Sequence, residues 1–83
     1  MRIRQINLDD SGLPERVTAE LTRDEALYIA TVLGRQNPID ATEVMRDGDT
    51  VLHELYGSLS GELFNRYWED GHRQALEERN PGE

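Results

Sequence analysis

Residues 16–34, RVTAELTRDEALYIATVLG, decide the fold, because the period of the apolar positions changes inside this stretch. Val17, Ala19 and Leu21 alternate with Thr18 and Glu20, the period of two that belongs to a half-buried strand. Beyond them, Ala26, Ile29, Ala30 and Leu33 form one stripe at a period of 3.6, the signature of an amphipathic helix. Between the two lies Thr22-Arg23-Asp24-Glu25, which fits a capping box: the Thr22 hydroxyl accepts a backbone N–H while Glu25 reaches back to the backbone of Thr22. The reading predicts a strand over residues 16–22 and a helix starting at Arg23. Gly34 is placed to end that helix as its left-handed residue.

Working outward, residues 2–8 read as a second strand, joined to the first by a turn at Asp10-Ser11-Gly12-Leu13-Pro14. Ile3 falls on the opposite parity from Ile6 and Leu8, which a bulge or a shorter strand would reconcile. On the other side, residues 35–49 are polar and read as a loop with one helical turn around residues 40–46. A longer helix follows from Thr50 to Trp68, opened by Gly48 or Asp49 and stopped by Asp70-Gly71. Residues 72–79 favour helix but offer only Ala75 and Leu76 for burial, and Asn80 to Glu83 are expected to be disordered. The predicted architecture is α+β: an N-terminal β-hairpin packed against two to three α-helices, one domain over residues 1–79 with a tail at 80–83.

The long helix carries the functional expectation. On a wheel of about 100° per residue, Leu52, Leu55, Tyr56, Leu59, Leu63 and Tyr67 gather on one face, and Gly57, Gly61, Phe64 and Trp68 on a second. So wide an apolar arc exceeds what a small chain covers from one side. The expected protein interface is therefore Gly57, Gly61, Phe64, Tyr67 and Trp68, with the glycines allowing close approach and the aromatics acting as anchors. The competing reading is that the run Gly57-Ser58-Leu59-Ser60-Gly61 breaks the helix and leaves Phe64 and Trp68 as ordinary core.

Composition removes whole classes of function. The chain has 83 residues, 9 Arg and no Lys, 17 Asp plus Glu, no Cys and a formal charge of -8. Without Cys there is no disulfide scaffold, thiolate zinc site, iron–sulfur cluster or cysteine nucleophile. MRIRQINLDD at the start contains no signal-peptide core, and no apolar run approaches a membrane span, so a cytoplasmic protein is expected. The negative charge argues against direct contact with nucleic acid, whose phosphates are bound through cations. It is concentrated: residues 1–36 hold five Arg against six acids, residues 37–83 four Arg against eleven. Asp40, Glu43, Asp47, Asp49 and Glu54 are expected to steer the chain to a basic partner.

The residues that could support catalysis do not assemble into a frame. His53 and Glu54 are adjacent, so they point to different sides of a helix, and no HExxH follows. Solvated surface is the expected setting of His53 and His72. Asp47-Gly48-Asp49-Thr50 lacks the remaining ligands of a calcium loop. Ser11, Ser58 and Ser60 lie in no nucleophile elbow. No catalytic, metal or cofactor residue is assigned, and the chain is expected not to be an enzyme and to need no cofactor.

Two stretches carry a family resemblance. TAELTRDEALYIATVLG at 18–34 and GELFNRYWEDG at 61–71, above all Phe64-Asn65-Arg66-Tyr67-Trp68, resemble segments of small acidic proteins of unknown function from actinobacteria and their phages. The resemblance agrees with the use of Arg without Lys, which GC-rich codons produce, and implies a phage or prophage accessory protein. It brings no site residues. The functional expectation is a non-enzymatic accessory protein that binds a host protein, or itself as a homodimer, through the apolar and aromatic helix face. The alternative is an acidic regulator that mimics nucleic acid or neutralises a basic protein in the manner of an antitoxin.

Overall fold

The computed structural model describes residues 1–81 as an N-terminal antiparallel hairpin followed by four helices, a small single α+β domain. Strands β1 (Arg2–Leu8) and β2 (Pro14–Glu20) pair along their length. Asp9 organises the turn: its carboxylate accepts from the backbone N–H groups of Ser11 at 2.8 Å and Leu13 at 3.0 Å. Gly12 takes a φ of +80° that a side chain would oppose. The parity conflict at Ile3 is resolved by a bulge. The register passes from Ile3↔Ala19 to Gln5↔Thr18, leaving Arg4 as the extra residue, and a second irregularity leaves Glu15 unpaired before Leu8↔Pro14.

Helix α1 (Arg23–Gly34) begins on the predicted capping box, with the Glu25 N–H donating to Thr22 Oγ1 at 3.2 Å and the Thr22 N–H to Glu25 Oε1 at 3.0 Å. Its end corrects the expectation for Gly34. That residue is the last of the helix and is not left-handed; positive φ among glycines occurs at Gly12 and Gly71. Gly34 serves packing instead, since a Cβ there would lie 3.1 Å from Tyr56 Cε1. Helix α2 (Pro38–Val44) is longer than the single turn expected, because Asn37 caps it through Ile39 N–H at 2.8 Å and Pro38 is preorganised at its first position.

Helix α3 runs over residues 48–67 without a break, but its geometry changes twice. Gly48–Tyr56 is α-helical, Gly57–Phe64 forms a π-helix, and Asn65–Tyr67 returns to α. Two glycines in this run weaken the preference for α geometry. In a π turn the bonds reach from i to i+5, so each residue turns through less than the roughly 100° of an α-helix. On α geometry Phe64 would sit about 120° from Leu52. Eight residues of π-helix turn it back to the same side, and Leu52, Tyr56, Leu59, Phe64 and Trp68 become the inward set. This overturns both expected faces. Leu55 and Leu63, expected on one apolar face with Leu52, are 48% and 36% exposed, Tyr67 is 70% exposed as an interface residue would be, and Phe64, expected at the interface, is fully buried.

Trp68 takes an extended conformation that ends α3, and Gly71, at φ +64° against Asn65, opens α4 (Gly71–Arg79). The core is small: Ala26, Leu27, Ala30, Phe64 and Ala75, with Leu59, Trp68 and Leu76 packed on its margin. Asn80 closes α4 by donating to the Leu76 carbonyl at 2.9 Å. The expected disordered tail at 80–83 lies, at its last two positions, outside the described residues.

The hairpin belongs to the predicted fold class but not in the predicted place. Among the described residues neither strand packs against a helix, and the molecule extends to 50 × 31 × 20 Å. Its base is tied to the helices where the terminal amine of Met1 pairs with the carboxylate of Glu25. The ribbon otherwise stands in solvent on both faces.

Candidate functional site

Trp68 is the organising side chain of a largely apolar concavity on the helical body. Its ring lies 5.6 Å from that of Phe64 and 6.4 Å from that of Tyr67, and the Arg23 guanidinium sits 5.7 Å from its centre. The indole N–H donates to Glu78 Oε2 at 2.7 Å, so the ring is fixed between α1, the end of α3 and α4. Beside it opens a groove of about 490 Å³ lined by Leu21, Arg23, Ala26, Leu63, Tyr67 and Trp68, with Phe64 at its floor. Leu63 and Tyr67 remain accessible on its rim because the π segment rotates them out. A preformed apolar groove with a rigid indole and an exposed phenol suits one large apolar side chain.

The five residues expected at an interface therefore divide. Tyr67 and Trp68 line the groove. Phe64 supports it from below but is 0% exposed and has no surface of its own to offer a partner, which corrects its place on the interface. Gly57 and Gly61 are exposed, line no part of this groove, and have open space where a Cβ would be. The face that was to join glycines to aromatics does not exist, because it was drawn on α-helical geometry.

The acidic residues behave as a solvated surface. Asp40, Glu43, Asp47, Asp49 and Glu54 are all exposed on the helix pair spanning 38–56, and none forms an ion pair among the described residues. Asp47 adopts a left-handed φ of 60° ahead of Gly48, whose buried backbone meets the Ala41 carbonyl so closely that no side chain fits.

One polar cluster escaped the sequence reading. His53 is exposed as expected, but His72 is not solvated surface: its Nε2 shares a hydrogen bond of 2.8 Å with the Tyr56 hydroxyl, and the rings meet edge-on at 5.6 Å. Thr31 Oγ1 and His72 Nδ1 are buried with no protein partner among the described residues. The contact spans sixteen positions and depends on Gly34 admitting the Tyr56 ring, so no local spacing could have signalled it. It joins α3 to α4. No group of three or more His, Asp or Glu side chains among the described residues is placed to hold a metal ion.

The fold and site together define a small acidic α+β protein with a projecting β-ribbon and an aromatic groove on its helical body. Comparison with protein families, with curated proteins and with solved structures finds no match. Among the described residues no helix is long and apolar enough to cross a membrane.

Proposed function

We propose that this chain is a non-enzymatic accessory protein, of the phage or prophage kind that its sequence resembles, which captures another protein by one large apolar side chain. The observation that carries this reading is the Trp68 groove: apolar, preformed, and rimmed by accessible Tyr67 and Leu63. Its occupant is an aliphatic or aromatic residue on a cationic segment of the partner. Residues 22–83 carry thirteen acids against six Arg, so a segment bearing Lys or Arg beside the anchor is drawn in, and an acidic one is repelled.

Trp68 is the only tryptophan in the chain, so its fluorescence reports groove occupancy directly. Selection of displayed peptides against the folded protein should enrich sequences with one Leu, Phe or Trp flanked by basic residues. The enriched peptides should shift Trp68 emission, and the double variant Leu63→Ser/Tyr67→Ser should lose them while keeping its helical circular dichroism. Enriched peptides that bind this variant equally well would defeat the proposal.

A second reading is favoured by the five exposed carboxylates on residues 38–56, which form no ion pair among the described residues: a surface that occupies the phosphate-binding face of a basic protein. Salt separates the two. Carboxylate mimicry weakens steeply as ionic strength rises, because exposed charges are screened beyond about 8–10 Å, whereas an anchored apolar side chain is retained.

A further inference from the structure

The ribbon is amphipathic, and its apolar face is uncovered. Paired residues of an antiparallel ladder share a face, so Ile3 with Ala19, Ile6 with Val17 and Leu8 with Pro14 stand on one side. Arg2 with Glu20, Gln5 with Thr18 and Asn7 with Arg16 stand on the other. The bulge at Arg4 is what keeps Ile3 with Ile6, and the extra residue Glu15 does the same for Pro14 and Val17. Arg4 itself turns to the polar side, where its Nε lies 3.4 Å from Glu20. Two irregularities thus preserve one continuous apolar strip, yet Ile3, Ile6, Leu8 and Val17 are 47%, 52%, 59% and 54% exposed and no helix lies over them. An isolated two-stranded hairpin is marginal in water, so such a strip is stabilised by being covered.

We infer that the occupant is a second copy of this chain, its ribbon packed face to face and antiparallel on the first about a two-fold axis. Charge selects this arrangement. Residues 1–21 hold three Arg against four acids and are close to neutral, whereas residues 22–83 carry a net -7. Contact between bodies, or between ribbons side by side and parallel, would bring two strongly negative units together. Antiparallel ribbons of seven-residue strands hold the bodies apart by a strand length of roughly 23 Å, beyond the screening length of about 8–10 Å.

The same geometry carries the tip of each ribbon to the base of the other. Leu13, 61% exposed at the tip, then meets a shallow apolar groove of about 360 Å³ formed by Met1, Leu21, Tyr28 and Ile29. Area sets the strength. A fully buried aliphatic side chain corresponds to roughly 60–120 Å² of apolar surface. The four half-exposed ones, Ile3, Ile6, Leu8 and Val17, therefore give roughly 120–240 Å² per copy, below the ~800 Å² per partner of a standard interface even with Ala19, Pro14 and the tip contact added. The dimer is accordingly weak, dissociating in the micromolar range or above. This inference does not rest on the Trp68 groove, which lies on the helical body.

Sedimentation velocity of the full chain over micromolar to millimolar concentration tests it. The expected result is a monomer passing to twice its mass as concentration rises, with little change on adding salt above about 0.1 M, because the bodies already lie beyond the screening length. Ile6→Glu/Val17→Glu should raise the dissociation constant at least about tenfold, with helical circular dichroism unchanged because no helix touches the ribbon. Thr18→Glu, on the polar face, should leave it within twofold. Since the chain has no Cys, Val17→Cys adds a single thiol near the two-fold axis, and mild oxidation should give a disulfide dimer that Thr18→Cys does not. This readout stands even if the double Glu variant disrupts the ribbon. A monomer at millimolar concentration, a dimer that survives the double Glu change, or equal cross-linking of both cysteines overturns the inference. Leu63→Ser/Tyr67→Ser should dimerise normally, so failure of the groove reading and failure of this one are separately visible.

Discussion

Replacing Phe64 by Ala tests the register of the long helix, on which the whole description of the site depends. Phe64 is fully buried and packs with Ala26, Leu27, Ala30 and Ala75. Truncating a buried Phe costs about 3–5 kcal/mol, more where the surroundings cannot collapse into the space left. Three of those four neighbours are alanines, whose methyl groups are too short to fill a vacated ring, so the upper half of that range applies. For a domain of this size the whole stability is of the order of 4–12 kcal/mol, and each kcal/mol moves the midpoint by about 4–8 °C. Phe64→Ala should therefore lower the thermal midpoint by at least about 15 °C or leave the chain unfolded. Tyr67→Ala is the paired measurement. Tyr67 is 70% exposed, and its loss should cost less than about 1 kcal/mol. Urea unfolding followed by circular dichroism at the helical band reads both. A regular α-helix from 50 to 68 predicts the reverse ranking, with Tyr67 costly and Phe64 cheap. Observing that reversal would refute the π-helical register, and with it the groove.

Three further outcomes follow from single contacts. Gly34→Ala should destabilise by about 1 kcal/mol despite the helix preference of Ala, since its Cβ would press on the Tyr56 ring; Gly57→Ala, with open space around it, should be neutral or stabilise by up to about 1 kcal/mol, both read by chemical unfolding. Thr22→Ala removes the cap on Glu25 N–H and should cost about 1 kcal/mol, visible as a lowered midpoint with no change in Trp68 emission. Tyr56→Phe leaves His72 Nε2 without its partner and should cost about 1–3 kcal/mol; an unchanged midpoint would show that the pair contributes nothing to holding α3 on α4.

Much of the local structure was written in local sequence. The capping box at Thr22 to Glu25, the turn around Gly12 and the parity conflict at Ile3 all depend on residues within a few positions of one another; the box formed as read, the turn formed but with the second strand already starting at Pro14, and of the bulge or shorter strand that Ile3 left open the structure has the bulge. Such a conflict is legible because strand parity is strict: one misplaced Ile implies either one extra residue or a shorter strand. The candidate site was less so. Trp68 and Tyr67 were identified as surface anchors, but Phe64 was placed with them and Leu63 opposite, because a wheel assumes about 100° per residue throughout. Two glycines signalled a weak helix without saying whether it would break or widen.

What only tertiary structure decided was how the elements meet. The long helix widens over Gly57–Phe64, and burying Phe64 among alanines of two other helices rewards that choice in a way no neighbour in sequence can announce. His72 finds Tyr56 across sixteen positions because Gly34, on a third element, leaves room. The hairpin's apolar strip is fixed by sequence, but whether it covers the helices depends on the few residues joining β2 to α1, and these hold it away. Periodicity therefore determines which face of an element is apolar. Its covering is set by packing between distant parts of the chain, which the helices supply for one another and not for the ribbon.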